Sequence, residues 1–177
     1  MTWQPAVVAS NGTSYEWYQQ DVANSCGCAS ILMMVYMMQN KKLDEATVRQ
    51  WMNEVEVHQN ADNNGVRSFK DMGGNIFDYT GVLAEKVKIK SHTVKNDGPV
   101  RKWVTTAKSN KPLLAHVFWV GGGGHTIVVA GHTATHTIFL DPGIGLVEIP
   151  DGSLNDYTTD YGAGAVNGSI LALVQPA

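Results

Sequence analysis

The chain has 177 residues, of which 44% are hydrophobic and 16% are charged, and its formal net charge is −3. This length suits one hydrophobic core, so we expect a single domain over residues 1–177. The slight negative charge provides no basic patch for nucleic acid or an anionic membrane. No apolar run approaches the ~18 residues needed to cross a bilayer. The sequence therefore argues against both nucleic acid and membrane as partners.

The first residues and the cysteine count indicate where the chain is made. Residues 1–5 lack the charged start and the long apolar run of a secretory signal, so no signal peptide is visible. Two cysteines cannot form a disulfide framework, which predicts production in a reducing cytoplasm. A domain cut from a longer polypeptide that is delivered into another cell would have the same features.

The first half of the chain is predicted to be helical after an irregular lead-in over residues 1–18. Apolar residues run almost unbroken over 29–38, which predicts a helix at about 26–39 that is buried on all sides. Asp44 is placed to cap a second, amphipathic helix at about 45–57. A loop at 59–65 and a broken helical segment at 66–84 follow.

The second half is predicted to consist mainly of strands. A strand at 87–91 and a short helix from 97 to about 109 come first. The β-rich runs that follow are 113–120, 125–131, 137–141, 146–149 and 169–174. Helices followed by strands predict an α+β fold, with the buried N-terminal helix packed on a C-terminal antiparallel sheet.

Cys26 lies at the predicted start of the buried helix, six residues after Gln20. Free backbone N–H groups and the positive end of the helix dipole at this position favour a thiolate over a thiol. Cys26 is therefore the candidate nucleophile. Cys28 lies two residues further along the helix, so its side chain points to a different side from that of Cys26, and it is predicted to be structural.

A base and an orienting acid are predicted on two neighbouring strands. His125 opens one strand after four glycines, and Asp141 closes the next strand before Pro142 and Gly143. If the strands pair as a hairpin, both side chains come out at the same end of the sheet. His125 then accepts the proton of Cys26, Asp141 orients the imidazole, and Gln20 with the Cys26 N–H binds the oxyanion.

These four positions and their order resemble the papain-like cysteine peptidases. The features are a Gln and, six residues later, Cys-Gly and an apolar helix, then a glycine-preceded His and an acid before Pro-Gly. Two features are similar to the small bacterial branches of this superfamily. One is Asp141, at a position where plant-type members carry Asn, and the other is the spacing of only 99 residues from Cys26 to His125. Those branches include the leader peptidases of bacteriocin exporters and cysteine-protease effectors delivered into other cells.

The resemblance implies a papain-like fold that cleaves peptide bonds through a thioester on Cys26, without a metal or cofactor. The substrate would be a protein or peptide, cut next to small residues such as glycine. Likeness to delivered effectors further implies a toxin made in the cytoplasm of its producer. Such a producer would need an immunity protein that inhibits the enzyme.

Two alternatives remain open from the sequence. A deamidase, transglutaminase or acyltransferase would use the same triad with another acceptor. A non-catalytic zinc or protein-binding module would place Cys26, Cys28, His132 and His136 around a metal ion.

Three further features lie near the candidate site. One has a structural interpretation, and the other two have two interpretations each. His116 lies in an apolar run and is predicted to be a satisfied core residue. Trp119 either shields the histidine from water or packs in the core. The glycines at 121–124 either form a turn or let a substrate backbone approach His125.

Overall fold

A computed structural model of the protein describes residues 2–60, 76–95, 101–159, 162–166 and 172–176. Its helices are α1 (Cys26–Gln39), α2 (Glu45–Asn60), α3 (Ile76–Val87) and α4 (Arg101–Val104). Its strands are β1 (Trp3–Val8), β2 (Ser14–Tyr18), β3 (Ser91–Lys95), β4 (Leu113–Trp119), β5 (Gly124–His132), β6 (His136–Asp141), β7 (Gly145–Pro150), β8 (Tyr157–Thr159), β9 (Gly162–Val166) and β10 (Ala172–Pro176).

The main sheet has eight described strands and carries the predicted hairpin at its centre. Its order is β3-β10-β4-β5-β6-β7, and β9 pairs with both β4 and β8. Every pairing is antiparallel. Strands β5 and β6 are neighbours joined by a short turn, so the start of β5 and the end of β6 lie at the same end of the sheet. The predicted α+β fold is confirmed.

Helix α1 is the centre of the larger hydrophobic core. Residues 27–35 are all buried, as expected from the unbroken apolar run, whereas residues 36–39 at the end of the helix are only partly buried or exposed. The helix packs on the sheet face formed by alternate residues such as Leu114, Val128 and Leu140, with α2 and α3 beside it. The intervening residues, including Leu113, Ile127 and Phe139, face a second core with Val104 and Tyr157. Both faces of the sheet are thus covered, which explains why these strands are nearly continuously apolar.

The ends of the first two helices follow local chemistry. Asp44 accepts a hydrogen bond from the Thr47 backbone N–H at 2.8 Å, the contact expected of an N-cap at the start of α2. Asn40 ends α1 in the left-handed conformation, with φ of 53°. The predicted boundary between the two helices is therefore correct.

The irregular lead-in predicted for residues 1–18 is wrong. Strands β1 and β2 form a two-stranded antiparallel sheet over this segment. Its turn depends on Asn11 and Gly12: Asn11 accepts a hydrogen bond from the Thr13 N–H, and Gly12 has φ of 80°. An Asn-Gly pair between two β-prone runs is a hairpin signal that the sequence analysis did not use.

Other predicted boundaries differ from the structure. Helix α3 runs to Val87, so the strand expected at 87–91 is displaced to Ser91–Lys95. The short helix expected to extend to about 109 ends at Val104. Strands β8 and β9 were not predicted, because their short, glycine-containing segments have little apolar alternation. Helix α2 runs to Asn60, so residues 59–60 of the loop predicted at 59–65 are helical. The rest of that loop and the first part of the segment predicted at 66–84 fall in residues 61–75, which lie outside the described residues.

No helix among the described segments combines the length and hydropathy that crossing a bilayer requires.

Candidate active site

Cys26 is the first residue of α1 and is partly exposed, whereas Cys28 is fully buried. The preceding residue, Ser25, does not cap the helix with its side chain. Its hydroxyl instead donates to the Val22 carbonyl at 2.8 Å and accepts from the Val22 N–H at 3.2 Å. The first-turn N–H groups therefore keep their partial positive charge near the Cys26 sulfur, which favours the thiolate.

The structure brings His125 and Asp141 together at the end of the β5–β6 hairpin. His125 Nε2 lies 2.9 Å from Asp141 Oδ1, and the two side chains are 5% and 0% exposed. Asp141 Oδ1 also accepts from the Gly143 N–H at 2.6 Å, and its Oδ2 accepts from the Tyr157 hydroxyl at 2.6 Å. Three donors therefore hold a carboxylate that has lost all contact with solvent, and they fix the imidazole beside it.

Cys26 is a further partner of His125, through a hydrogen bond and through charge. Burial raises the pKa of Cys26, but the hydrogen bond and charge of His125, together with hydrogen bonds from Thr126, outweigh it and lower that pKa. Burial likewise lowers the pKa of His125, but Asp141 and Cys26 raise it to about 9. Both shifts favour a thiolate–imidazolium pair.

Cys28 behaves in the opposite way, because burial without a cationic hydrogen-bond partner raises its pKa. The two thiols lie two residues apart on one helix and differ in exposure and in the sign of their pKa shifts. This contrast is the one expected between a reactive cysteine and a structural one.

Trp119 and Tyr157 complete the site around His125 and Asp141. The sequence predicted a role for Trp119 but none for Tyr157. The indole of Trp119 stacks on the His125 ring, with centroids 5.6 Å apart and planes at 24°, and lies 6.3 Å from the Tyr157 ring. Trp119 therefore combines both predicted roles, because it covers the histidine and packs against the core. Tyr157, the donor to Asp141, carried no recognisable signal in the sequence.

Two glycines of β9 make room for this indole. A Cβ at Gly162 would lie 3.1 Å from the Trp119 ring, and one at Gly164 would lie 2.2 Å from the Phe118 carbonyl oxygen. Neither position accepts a larger residue without a shift of Trp119 or of strand β4. The run Gly162-Ala-Gly164 is the only mark of this packing in the sequence.

His116 lies closer to the site than its prediction as a core residue implied. It is half-buried and packs edge-on against Phe118, and its Nε2 occupies the space of a Cβ at Gly124, the residue before His125. Burial and the positive charge of His125 lower the pKa of His116 to about 4. His116 is therefore neutral at neutral pH, and it adds no second positive charge beside the reacting pair.

The glycine run has conformational reasons for its composition. Gly122 and Gly123 have φ of 93° and 83°, values that other residues rarely adopt. A Cβ at either position would meet no atom within 4 Å. The run is therefore a turn whose last glycine, Gly124, makes room for His116, and its surface is open.

Gln20 is held between the loop before Cys26 and the loop after Asp141. Its backbone N–H donates to the Pro142 carbonyl at 2.9 Å, and its side-chain Nε2 donates to the Val22 carbonyl at 2.8 Å. This orientation leaves one hydrogen of the amide for another acceptor.

The alternative zinc arrangement does not form. His132 Nε2 lies 2.9 Å from Asp151 Oδ2, and His136 Nδ1 lies 2.9 Å from the Thr135 hydroxyl. Cys28 is buried in the core with α1. Within the described part of the chain, no three His, Cys, Asp or Glu side chains come together as a metal site.

Comparison with known proteins agrees with this geometry. The family model of the papain-like cysteine protease AvrRpt2 matches residues 9–161, which is most of the chain. The chain belongs to this family. The protein is therefore a cysteine peptidase, as the sequence predicted.

Solved structures give the same fold. One is a double glycine motif protease from an AMS/PCAT transporter in complex with the leader peptide, with a TM-score of 0.60 and 19% identity, covering 98% of this chain and 100% of that one. Another is the peptidase domain of Streptococcus ComA, a bi-functional ABC transporter of a quorum-sensing pathway, with a TM-score of 0.60 and 16% identity, covering 92% and 99%. No curated protein matches the chain by sequence.

The opposite pKa shifts of the two thiols predict selective labelling of the peptidase. In the folded protein near neutral pH, iodoacetamide should alkylate Cys26 at least about tenfold faster than Cys28, because only the thiolate reacts. Peptide mapping by mass spectrometry over a time course measures the two rates. Denatured protein, in which both thiols react alike, is the control. Equal rates in the folded protein would contradict the assignment of Cys26 as the activated thiol.

Proposed function

We propose that Cys26, His125 and Asp141 form the triad with which the peptidase hydrolyses peptide bonds through a thioester intermediate. The observation that carries this proposal is the hydrogen-bonded series from the Cys26 thiol through His125 to the buried Asp141. Each member has a distinct electrostatic role: the thiol has a lowered pKa, the imidazole has a raised pKa, and the carboxylate has its lone pairs occupied. These are the properties of a nucleophile, a proton carrier and an orienting group.

The reaction proceeds in two half-reactions. The Cys26 thiolate attacks the peptide carbonyl carbon, and the imidazolium of His125 donates its proton to the departing amine, which leaves a thioester. His125, now neutral, accepts a proton from a water molecule as that water attacks the thioester. The carboxylic acid leaves, and the thiolate–imidazolium pair is restored. Asp141 holds the ring orientation throughout, and Trp119 covers it.

Gln20 and the Cys26 backbone N–H supply the donors for the negative oxygen of the tetrahedral intermediate. The N–H is at the first turn of α1, where it has no side-chain cap. The Gln20 amide uses one hydrogen for the Val22 carbonyl, and its backbone bond to Pro142 fixes the loop. A donor held in place before the reaction is worth roughly 3–4 kcal/mol of transition-state stabilisation.

The substrate is a protein or peptide with a small residue, preferably glycine, on the acyl side of the cut. The similarity to a double glycine motif protease supports this preference. The chain also offers few charged side chains for a pocket that selects Arg or Lys, since only 16% of its residues are charged. A narrow cleft that rejects an added Cβ discriminates through overpacking, which costs about 1–3 kcal/mol.

The enzyme acts as an effector toxin on a protein of a target cell, and its producer carries an immunity protein that covers the cleft. This part of the proposal rests on the likeness to delivered cysteine-protease effectors and on membership of the AvrRpt2 family.

Substitution of the triad residues tests the proposed roles. Cys26→Ala and His125→Ala should each abolish peptide cleavage, because the nucleophile and the proton carrier have no substitute. Gln20→Ala should retain residual turnover, with kcat lowered about 10²- to 10³-fold. His92→Ala, which changes an exposed histidine on β3, is the control and should keep full activity. Turnover of a fluorogenic peptide measures these effects. Wild-type activity in His125→Ala would refute the triad.

The pKa shifts predict a bell-shaped dependence of kcat/KM on pH. The ion pair exists above the lowered pKa of Cys26 and below the raised pKa of His125, which is about 9. Activity should therefore rise with pH through the first value and fall near pH 9 through the second. Asp141→Asn removes a charge that raises the pKa of His125, so the fall should move to lower pH. An alkaline limb that Asp141→Asn leaves in place would argue that the limb does not report His125.

A library of peptides made from a bacterial proteome tests the substrate preference. Cleavage by the wild-type enzyme, with Cys26→Ala as the control, should favour glycine on the acyl side by about tenfold or more over larger residues. Mass spectrometry reads both the new termini and any change without cleavage. Preferred cutting after bulky or basic residues would refute the narrow cleft. Deamidated but uncut products would instead favour the alternative acceptor chemistry.

A further inference from the structure

Thr126, the residue after the proposed base, is fully buried and is tied to the helix that carries the nucleophile. Successive side chains of a strand point to opposite faces, so Thr126 faces away from the core on which His125 packs and towards α1. Its carbonyl oxygen accepts a hydrogen bond from the Ser30 hydroxyl of α1 at 2.9 Å. The backbone of Thr126 is therefore anchored to the second turn of the helix that begins at Cys26.

The Thr126 hydroxyl has a second buried hydroxyl beside it. Tyr79 of α3 is 1% exposed, and its hydroxyl oxygen lies 3.1 Å from Thr126 Oγ1. The same phenol ring packs directly on Gly27, where a Cβ would come within 2.3 Å of the Tyr79 oxygen. Gly27 follows Cys26, so the tyrosine hydroxyl lies at the first turn of α1.

The Tyr79 hydroxyl lies against Gly27 and beside Thr126 Oγ1, so the Thr126 hydroxyl lies near the first turn of α1, where Cys26 is. Hydrogen bonds from the backbone and the hydroxyl of Thr126 lower the pKa of Cys26. A threonine hydroxyl has one hydrogen to donate. When that hydrogen points to the sulfur, Tyr79 must donate its own hydrogen to Thr126 Oγ1. The three groups then form a directed series from Tyr79 through Thr126 to Cys26.

We propose that Thr126 is a second catalytic residue at the sulfur, where its hydroxyl stabilises the Cys26 thiolate, and that Tyr79 is a positioning residue that orients this hydroxyl. This inference rests on the proposed function of Cys26 as the nucleophile. The thiolate thus has two independent supports: the imidazolium of His125, and two donors from Thr126 that carry no charge and do not titrate in the working range.

The test measures the thiolate directly, without peptide turnover. The rate of iodoacetamide alkylation of Cys26, followed across pH by mass spectrometry, gives the midpoint at which the thiolate forms. Thr126→Val removes the hydroxyl and retains the backbone N–H and the branched shape. We expect its midpoint about one pH unit above that of the wild type, the size expected for one hydrogen bond to a charged acceptor. Thr126→Ser, which keeps the hydroxyl, should restore the wild-type midpoint.

Tyr79→Phe and Thr137→Val separate orientation from folding. Tyr79→Phe removes only the phenol oxygen and should raise the midpoint by a smaller amount, and it serves as the readout if Thr126→Val does not fold. Thr137 is another fully buried strand threonine, whose hydroxyl donates to Asp151. Thr137→Val should lower Tm as Thr126→Val does, and it should leave the midpoint unchanged.

Outcomes for this inference and for the proposed function are distinguishable. Unchanged midpoints in both Thr126→Val and Tyr79→Phe would overturn the inference, even if the wild-type enzyme cleaves peptides. A raised midpoint in Thr126→Val that Thr126→Ser reverses supports it, even if no peptide is cleaved. An equal rise in Thr137→Val would show that the shift reflects general loosening of the core, and this would also overturn the inference.

Discussion

The site depends on the burial of one negative charge. Asp141 is 0% exposed, and an isolated carboxylate in such surroundings would cost several kcal/mol. Three donors offset that cost, from His125, Gly143 and Tyr157. Because only His125 among them becomes cationic, the carboxylate favours the imidazolium form. That imidazolium in turn lowers the pKa of Cys26, so the acidity of the thiol at the start of α1 depends on a carboxylate at the end of β6.

The scaffold buries the His125–Asp141 pair and leaves Cys26 partly exposed. Trp119 and Tyr157 cover the His125–Asp141 pair, and Gly162 and Gly164 give the indole the room to do so. On the opposite side, Cys26 remains partly exposed at the edge of the core. The His125–Asp141 pair therefore lies in an environment of low dielectric constant, where its interactions are strong.

Successive side chains of β5 point to opposite faces of the sheet, so His125 and Thr126 lie on different faces. His125 belongs to the face with Tyr157 and Trp119, and Thr126 belongs to the face against α1. Cys26, the first residue of α1, has a pKa that is lowered by hydrogen bonds from both residues. On β4, His116 pairs directly with Thr126 on β5. The pKa of His116 is lowered, so this face of the sheet carries polar groups but no second positive charge near Cys26. The helix end and the strand start together define the position of the sulfur.

The sequence by itself determined the helix that carries Cys26, the central hairpin and the order of the proposed triad residues. These features depend on local patterns: an unbroken apolar run, two strands with a short turn, and glycines or Asp-Pro-Gly at their ends. The β1–β2 hairpin is also marked locally, by its Asn11-Gly12 pair, whereas the short strands β8 and β9 and the strand boundary after α3 have no comparable local signal. Apart from Trp119, for which the sequence already offered a shielding role, the partners of the site came only from the tertiary structure. Tyr157, Trp119, His116, Tyr79 and Thr126 are brought to His125 and Cys26 by strand pairing and helix packing between distant segments, which no periodicity in the chain records.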